Sequence, residues 1–284
     1  MAGRFSRSLA LAKASWSIVN TDKELLLLPL LSVLALLVLV GSFVLPASAF
    51  GLFAAGVEAD GANGPLALAS LAFYVLAYFI MIFFNTALVG AAMMRMDGGD
   101  PTLRDGLAIA WARVGRIFGY AVIAATVGLF LRALEERVGW LGQIMVKLVG
   151  VAWTLATFLV VPVLVTRDVG PIEAVKESAS LLRTTWGENL IGTTGIGLVF
   201  ALAYFATILV CGAGFVFAMQ AGWLVVALLL VLVGIVALVV LSTLQATMQG
   251  VYAAALYRYA TEPGQPTPGF PTDLMQLAFQ AKTK

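Results

Sequence analysis

Apolar residues run almost unbroken from Leu25 to Leu45, between the charged Asp22-Lys23-Glu24 and Pro46. At about 1.5 Å per residue, a helix of that length crosses a hydrocarbon core of about 30 Å. Comparable runs cover Pro65 to Met94, Ile117 to Leu131, Val149 to Val165, Leu190 to Met219 and Trp223 to about Leu241, the last continuing to Tyr259. The pattern predicts an all-α membrane protein with six transmembrane helices in three hairpins. Residues 1–272 form a single polytopic helical membrane domain, and 273–284 a short amphipathic tail behind the Pro/Gly-rich stretch Pro263 to Pro271.

Between the runs the periodicity changes. Phe5, Leu9, Ala12, Trp16 and Val19 recur at steps of three and four, as do Leu103, Leu107, Ala110, Val114 and Ile117, and then Ile172, Val175, Ala179, Leu182 and Trp186. Each set makes one apolar helical face, so each hairpin is expected to be preceded by a cytoplasmic amphipathic interfacial helix. Leu11 to Trp16 aligns with Leu181 to Trp186, while the middle stretch fits the repeat less well. A fourth stripe, Leu134, Val138, Leu141, Met145 and Leu148, lies among Arg132, Glu135, Glu136, Arg137 and Lys147. It is expected to lie in the interface plane, which spares Lys147 a place near the bilayer centre.

Charge sets the orientation. Lys and Arg number 17, and fourteen fall in the N-terminal tail, the second and fourth connections and the C-terminal tail. The positive-inside rule then places both termini in the cytoplasm, in a multi-pass protein of the cytoplasmic membrane. Ala47-Ser48-Ala49 is similar to a signal-peptidase site, but the run before it is longer than a signal's about 7 to 15 apolar residues. The first helix is expected to stay.

Composition narrows the chemistry. Hydrophobic residues make up 61% and charged residues 11%, too little charge to cover a water-soluble globule. With no His and one Cys there is no imidazole base, no His/Cys metal cluster and no internal disulfide. No catalytic, cofactor or metal residues are assigned, and no nucleic-acid partner is expected. Candidate lipid-headgroup or interfacial residues are Arg4, Arg7, Lys13 and Trp16 in the first amphipathic stretch. Arg104, Arg113 and Arg116 belong to the second, and Lys176, Arg183 and Trp186 to the third. Basic side chains beside an apolar face each contribute about 1 kcal/mol of attraction to anionic lipid. Candidate intramembrane polar residues are Asn85, Gln245 and Gln249, more readily explained as interhelical hydrogen bonds than as a pathway. The dense glycines from Gly187 to Gly197 permit close helix packing, Pro162 explains a kink in the fourth span, and Gly115 and Gly119 have the spacing of a helix-pairing motif.

The run Ala254-Ala255-Leu256-Tyr257-Arg258-Tyr259-Ala260, followed by Pro268-Gly269-Phe270 and Ala278-Phe279, resembles a family of uncharacterised bacterial and archaeal six-span membrane proteins. That group is similar to the membrane domain attached to some glycerophosphodiester phosphodiesterases. The resemblance extends over the topology, including the Trp16 and Trp186 helices, and carries over no catalytic residue, since the phosphodiesterase chemistry belongs to a separate soluble domain. The expectation is a non-enzymatic structural, lipid-organising or accessory subunit with membrane lipid as partner, as a homo-oligomer or within a larger membrane complex. The alternative is a transporter or channel for a small or lipophilic solute, with a cavity near Asn85, Gln245 and the Gly192 segment.

Overall fold

The computed structural model describes residues 13, 15–49, 64–186 and 195–262. Among them are nine α-helices and no strand. Residues 15–21 are helical and lead through a 3-10 turn, Lys23–Leu26, into α1 (Leu27–Ala49). There follow α2 (Gly64–Met96), α3 (Leu103–Trp111), α4 (Val114–Arg137), α5 (Trp140–Ala156), α6 (Val160–Thr166), α7 (Pro171–Trp186), α8 (Gly195–Gln220) and α9 (Leu224–Thr261). Six segments are long and apolar enough to cross a membrane: Lys23–Pro46, Leu68–Met96, Val114–Arg137, Trp140–Thr166, Gly197–Gln220 and Leu224–Thr261.

The chain divides into two compact units. The first takes Leu31–Ala91 and Pro101–Thr184. In it Phe43 of α1 meets Phe73 of α2 edge-on at 5.3 Å between ring centroids. Tyr78 of α2 lies against Gly128 of α4, where a Cβ would come within 3.0 Å of the phenol oxygen. One turn further along both helices, Arg132 Nη1 donates to Tyr74 Oη at 2.8 Å.

The expected interfacial segment between the third and fourth spans does not form. Its stripe is cut at Val138-Gly139, so Leu134 belongs to α4 and Leu141, Met145 and Leu148 to α5. Lys147 instead pairs with Glu135 of α4 at 3.4 Å, which answers its charge across the hairpin. The two spans are accordingly longer than their apolar runs.

The fourth span also breaks, and not at Pro162 itself. Helix α5 stops at Ala156 and α6 starts at Val160, two residues ahead of the proline. A proline cannot donate to the carbonyl four residues back and its ring crowds that turn, so the helix fails there and restarts with Pro162 in a first turn that needs no donor. The freed N–H of Leu159 donates to Ser178 Oγ of α7 at 3.0 Å, in a buried setting. Pro171, at the start of α7, fills the space a Cβ on Gly119 would take, at 3.1 Å. Gly119 therefore serves packing within the chain, while Gly115 faces open space.

The second unit takes Met1–Leu30, Ala92–Asp100 and Thr185–Lys284. Helices α8 and α9 form a hairpin, with Leu230 against Gly214 and Cys211 against Gly234. Its turn needs glycine: Gly222 has φ +74°, Trp223 N–H donates to Ala218 O at 2.8 Å and Gly222 N–H to Met219 O at 3.2 Å. This paired closure of a helix end requires a left-handed residue. The same closure ends α2, where Gly98 has φ +85° and Gly99 N–H reaches Met94 O.

Burial is uneven along the helices. In α2 it concentrates at Thr86 to Ala92, in α4 at Ile117 to Ala125, around α6 at Leu159 to Val165, and in α9 from Thr243 to Tyr257. Each lies at the end of its span that adjoins an Arg- or Lys-bearing connection or tail. The far ends present bulky apolar side chains outward, among them Leu37, Phe130, Trp140, Phe205 and Leu232. Exposed apolar area on helices of spanning length is the surface a bilayer covers.

Candidate functional site: the basic ends of the helices

Helix α3 starts at a reciprocal cap. Asp105 N–H donates to Thr102 Oγ1 at 3.3 Å, and Thr102 N–H donates to Asp105 Oδ2 at 2.9 Å. The Thr102 hydroxyl also donates to Asp105 Oδ2, at 2.6 Å, and this bond together with that from Thr102 N–H holds the Asp105 carboxyl below the usual carboxylate range. α3 packs on α2 at Gly90, where a Cβ would lie 2.7 Å from Ile109 Cγ2. The predicted stripe behaves as read: Ala110 and Ile117 are buried, and Leu103, Leu107 and Val114 half-buried. At its end Trp111, 69% exposed, sits edge-on to Phe83 at 6.2 Å. Phe83 continues to Phe79, and Phe79 to Phe118 of α4, each at 5.8 Å.

Three arginines surround this elbow in sequence. Arg104 is exposed. Arg116 is half-buried and paired with Asp168. Arg113 is half-buried, with Nη1 donating to Ile109 O at a long 3.5 Å and an enclosed Nε that has no hydrogen-bond partner.

The inward face of α7 differs from the expected one. Ala174, Ser178 and Leu182 are buried, whereas Ile172 is exposed. Ser178 turns the helix about one residue from the purely apolar stripe, because its hydroxyl caps the broken span. Arg167 pairs with Glu177 at 3.3 Å, and Lys176 and Arg183 are exposed.

In the other unit, Lys13 and Trp16 are exposed. Ser15, Ile18, Val19 and Asp22 form the buried face of the first helical stretch, with Ser15 Oγ enclosed and unpartnered. Asp22 is 7% exposed; Oδ1 accepts from Glu24 N–H at 3.2 Å, and Oδ2 has no partner. Burial raises its carboxyl pKa, against smaller opposing effects of the Glu24 bond and the Arg95 charge. Arg95 itself pairs with Asp100 at 2.8 Å, and Arg258 binds Asp97 and lies 3.9 Å from Glu262. Sequence reading marked Asp22 only as the charge that opens a span. Its recurrence one heptad after Ser15, with Ile18 and Val19 between, is the signal that places it on the inward face.

The predicted polar trio lies within two of the candidate spans, and none of the three side chains is fully buried. Asn85 is exposed, on the side of α2 turned away from the Phe83–Gly90 face that meets α3. Gln249 is exposed and Gln245 half-buried, one turn apart on α9, while the buried hydroxyls there are Thr243 and Thr247, bonded to Val239 O and Thr243 O. Arg4, Arg7, the Gly192 segment and the side chain of Trp186 lie outside the described residues. Among the described residues no three acidic or Cys side chains gather to hold a metal ion.

No curated protein and no solved structure is significantly similar to the chain. A family model does match, over residues 66–267, which takes in the Trp186 helix and leaves the Trp16 helix and the first span outside the matched residues. With about seven-tenths of its length under that model, the chain belongs to the family of unknown function DUF6159.

Proposed function

We propose that the protein is a non-enzymatic component of the cytoplasmic membrane that organises lipid or serves as the accessory subunit of a membrane assembly. The observation that carries this reading is where the exposed cations fall. In one unit Arg104, Lys176 and Arg183 are exposed on α3 and α7 next to the packed ends of its spans, with Trp111 exposed at the end of α3, and in the other Lys13 and Trp16 are exposed on the first helical stretch. Tryptophan at the headgroup level and arginine facing anionic lipid are what an interfacial collar requires. Helices α3 and α7 do this while packed on neighbouring spans, so they turn the chain and present charge together. Both termini are cytoplasmic in this reading, since the collar lies on the side richer in Lys and Arg.

The test is reconstitution of the full chain into vesicles of phosphatidylcholine with and without phosphatidylglycerol. Spin-labelled lipid should show a motionally restricted fraction that is larger for the anionic lipid, and the vesicles should stay tight to ions and small solutes. Protein-dependent solute flux without lipid selectivity overturns the reading in favour of a transporter or channel.

A further inference from the structure

Four basic side chains among the described residues are half-buried: Arg95, Arg113, Arg116 and Arg258. Three have a carboxylate within ion-pair distance, namely Asp100, Asp168 and Asp97. Arg113 alone has none among the described residues, and its enclosed Nε–H has no acceptor. Withdrawing part of a guanidinium from water without a counter-charge is unfavourable, and the portion of Arg113 that stays exposed is open to an anion from outside the chain.

Position says which anion. Arg113 stands immediately before α4, a segment of spanning length, and is therefore at the headgroup level when Val114 to Arg137 crosses the bilayer. Two residues earlier, exposed Trp111 ends α3, and one turn into α4 the ring of Phe118 is exposed as well. Phe83 and Phe79 back the two rings in one continuous series. A cation at the start of a span, next in sequence to an exposed aromatic series that continues one turn into that span, matches a molecule with a phosphate at one end and an acyl chain at the other.

We propose that the α3–α4 elbow is a specific phospholipid site, with Arg113 holding the phosphodiester of an anionic lipid and Trp111 and Phe118 bearing its acyl chain. This rests on the lipid-organising reading and adds to it a single place and a chemical class. Arg116 is excluded from the headgroup role by its pairing with Asp168, and Arg104 contributes only as an exposed charge.

The experiment is native mass spectrometry of the detergent-solubilised full chain titrated with phosphatidylglycerol or phosphatidylcholine of identical acyl chains. The wild type should retain one phosphatidylglycerol more tightly than the rest. Arg113→Gln should weaken that event at least about tenfold, as expected for loss of a charge-assisted bond, and Arg113→Lys should restore part of it. Arg104→Gln should change it about twofold or less. Should Arg113→Gln fail to fold, wild-type protein labelled with a lipid carrying a photoreactive acyl chain must be modified at Trp111 or Phe118. Retention that survives Arg113→Gln, or labelling confined to other helices, overturns the site and leaves the general reading standing. Equal retention of the two lipids by the wild type overturns both. Displacement of phosphatidylglycerol by excess inorganic phosphate would make free phosphate the ligand and overturn the lipid assignment.

Discussion

The two halves of α9 are one unbroken helix with opposite surroundings. From Val225 to Val236 its bulky side chains are mostly exposed, Leu228, Leu232, Val233 and Ile235 among them. From Thr243 to Tyr257 it is enclosed on nearly every side, and the enclosed residues include Thr243, Thr247, Gly250 and Ala253 to Ala255. In water the larger apolar side chains would be the ones withdrawn. A bilayer removes that preference, because lipid tails are as apolar as leucine. Helices then gain by close approach through small residues and by hydroxyls that return their bond to the backbone. The packed half also encloses Met248, Val251, Tyr252, Leu256 and Tyr257, so its small residues mark the places of close approach, while hydropathy marks only the span.

The strongest way to break this contrast is to enlarge a small residue in the packed half. Ala254 is fully buried, so Ala254→Leu should cost about 3 kcal/mol or prevent folding. Leu232→Ala, in the exposed half, should move stability by less than about 0.5 kcal/mol. Thermal unfolding of both variants in the same detergent makes the comparison. Equal damage would show that the exposed half is a protein interface and not a lipid-facing surface. Ser178→Ala comes next, since it leaves the buried Leu159 N–H without its acceptor. A loss of about 2 kcal/mol is expected, and faster amide exchange at Leu159 would place it at the break in the span.

How far such contrasts are legible in sequence depends on the kind of force involved. The six spans were readable because continuous apolar length is a one-dimensional signal, and their observed limits differ from the predicted ones chiefly where charges interrupt it, as at Lys147. That charge reads as an obstacle to crossing only until Glu135, two residues before α4 ends and across the turn, supplies its partner. Pro162 announced a fault in the helix but not its place, which depends on the carbonyl four residues upstream and on a serine from another helix. Of the candidate site, the exposure of Arg104 and Lys176 follows the amphipathic pattern, whereas Trp16 shares a predicted stripe with buried Val19 and is exposed because Ser15 and Asp22 take the inward face. The isolation of Arg113 does not, because pairing partners such as Asp168 for Arg116 are set by folding alone.

Charge gives a milder version of the comparison. Arg258 is 25% exposed and holds Asp97, so Arg258→Ala should cost about 1 kcal/mol, less at high salt. In the other unit, Lys147 pairs with Glu135 but is itself well exposed, and Lys147→Met should change stability by less than about 0.5 kcal/mol. Unfolding midpoints at low and high ionic strength separate the two: only the Arg258 variant should lose a salt-sensitive contribution.

The smallest effect is expected at Asp22, where burial and charge oppose each other within the packed end of a single unit. Burial raises the folded-state pKa of this carboxyl above its ordinary value, so the folded chain holds the proton more tightly than the unfolded chain does. Stability contributed by Asp22 is then greatest below the ordinary carboxylate pKa and falls as pH rises through the raised one. Asp22→Asn keeps an oxygen to accept from Glu24 N–H and carries no charge at any pH. The variant should therefore gain about 0.5 kcal/mol on the wild type between mildly acidic and neutral pH, with any difference that persists at low pH due to the amide itself. Paired melting curves across that range decide the matter. A variant that loses ground as pH rises would mean that the attraction of Arg95 outweighs burial. Asp22 would then be an ion-pairing residue held in the packed end by its charge, and the enclosure of its second oxygen would be a consequence of that pairing and not a cost against it.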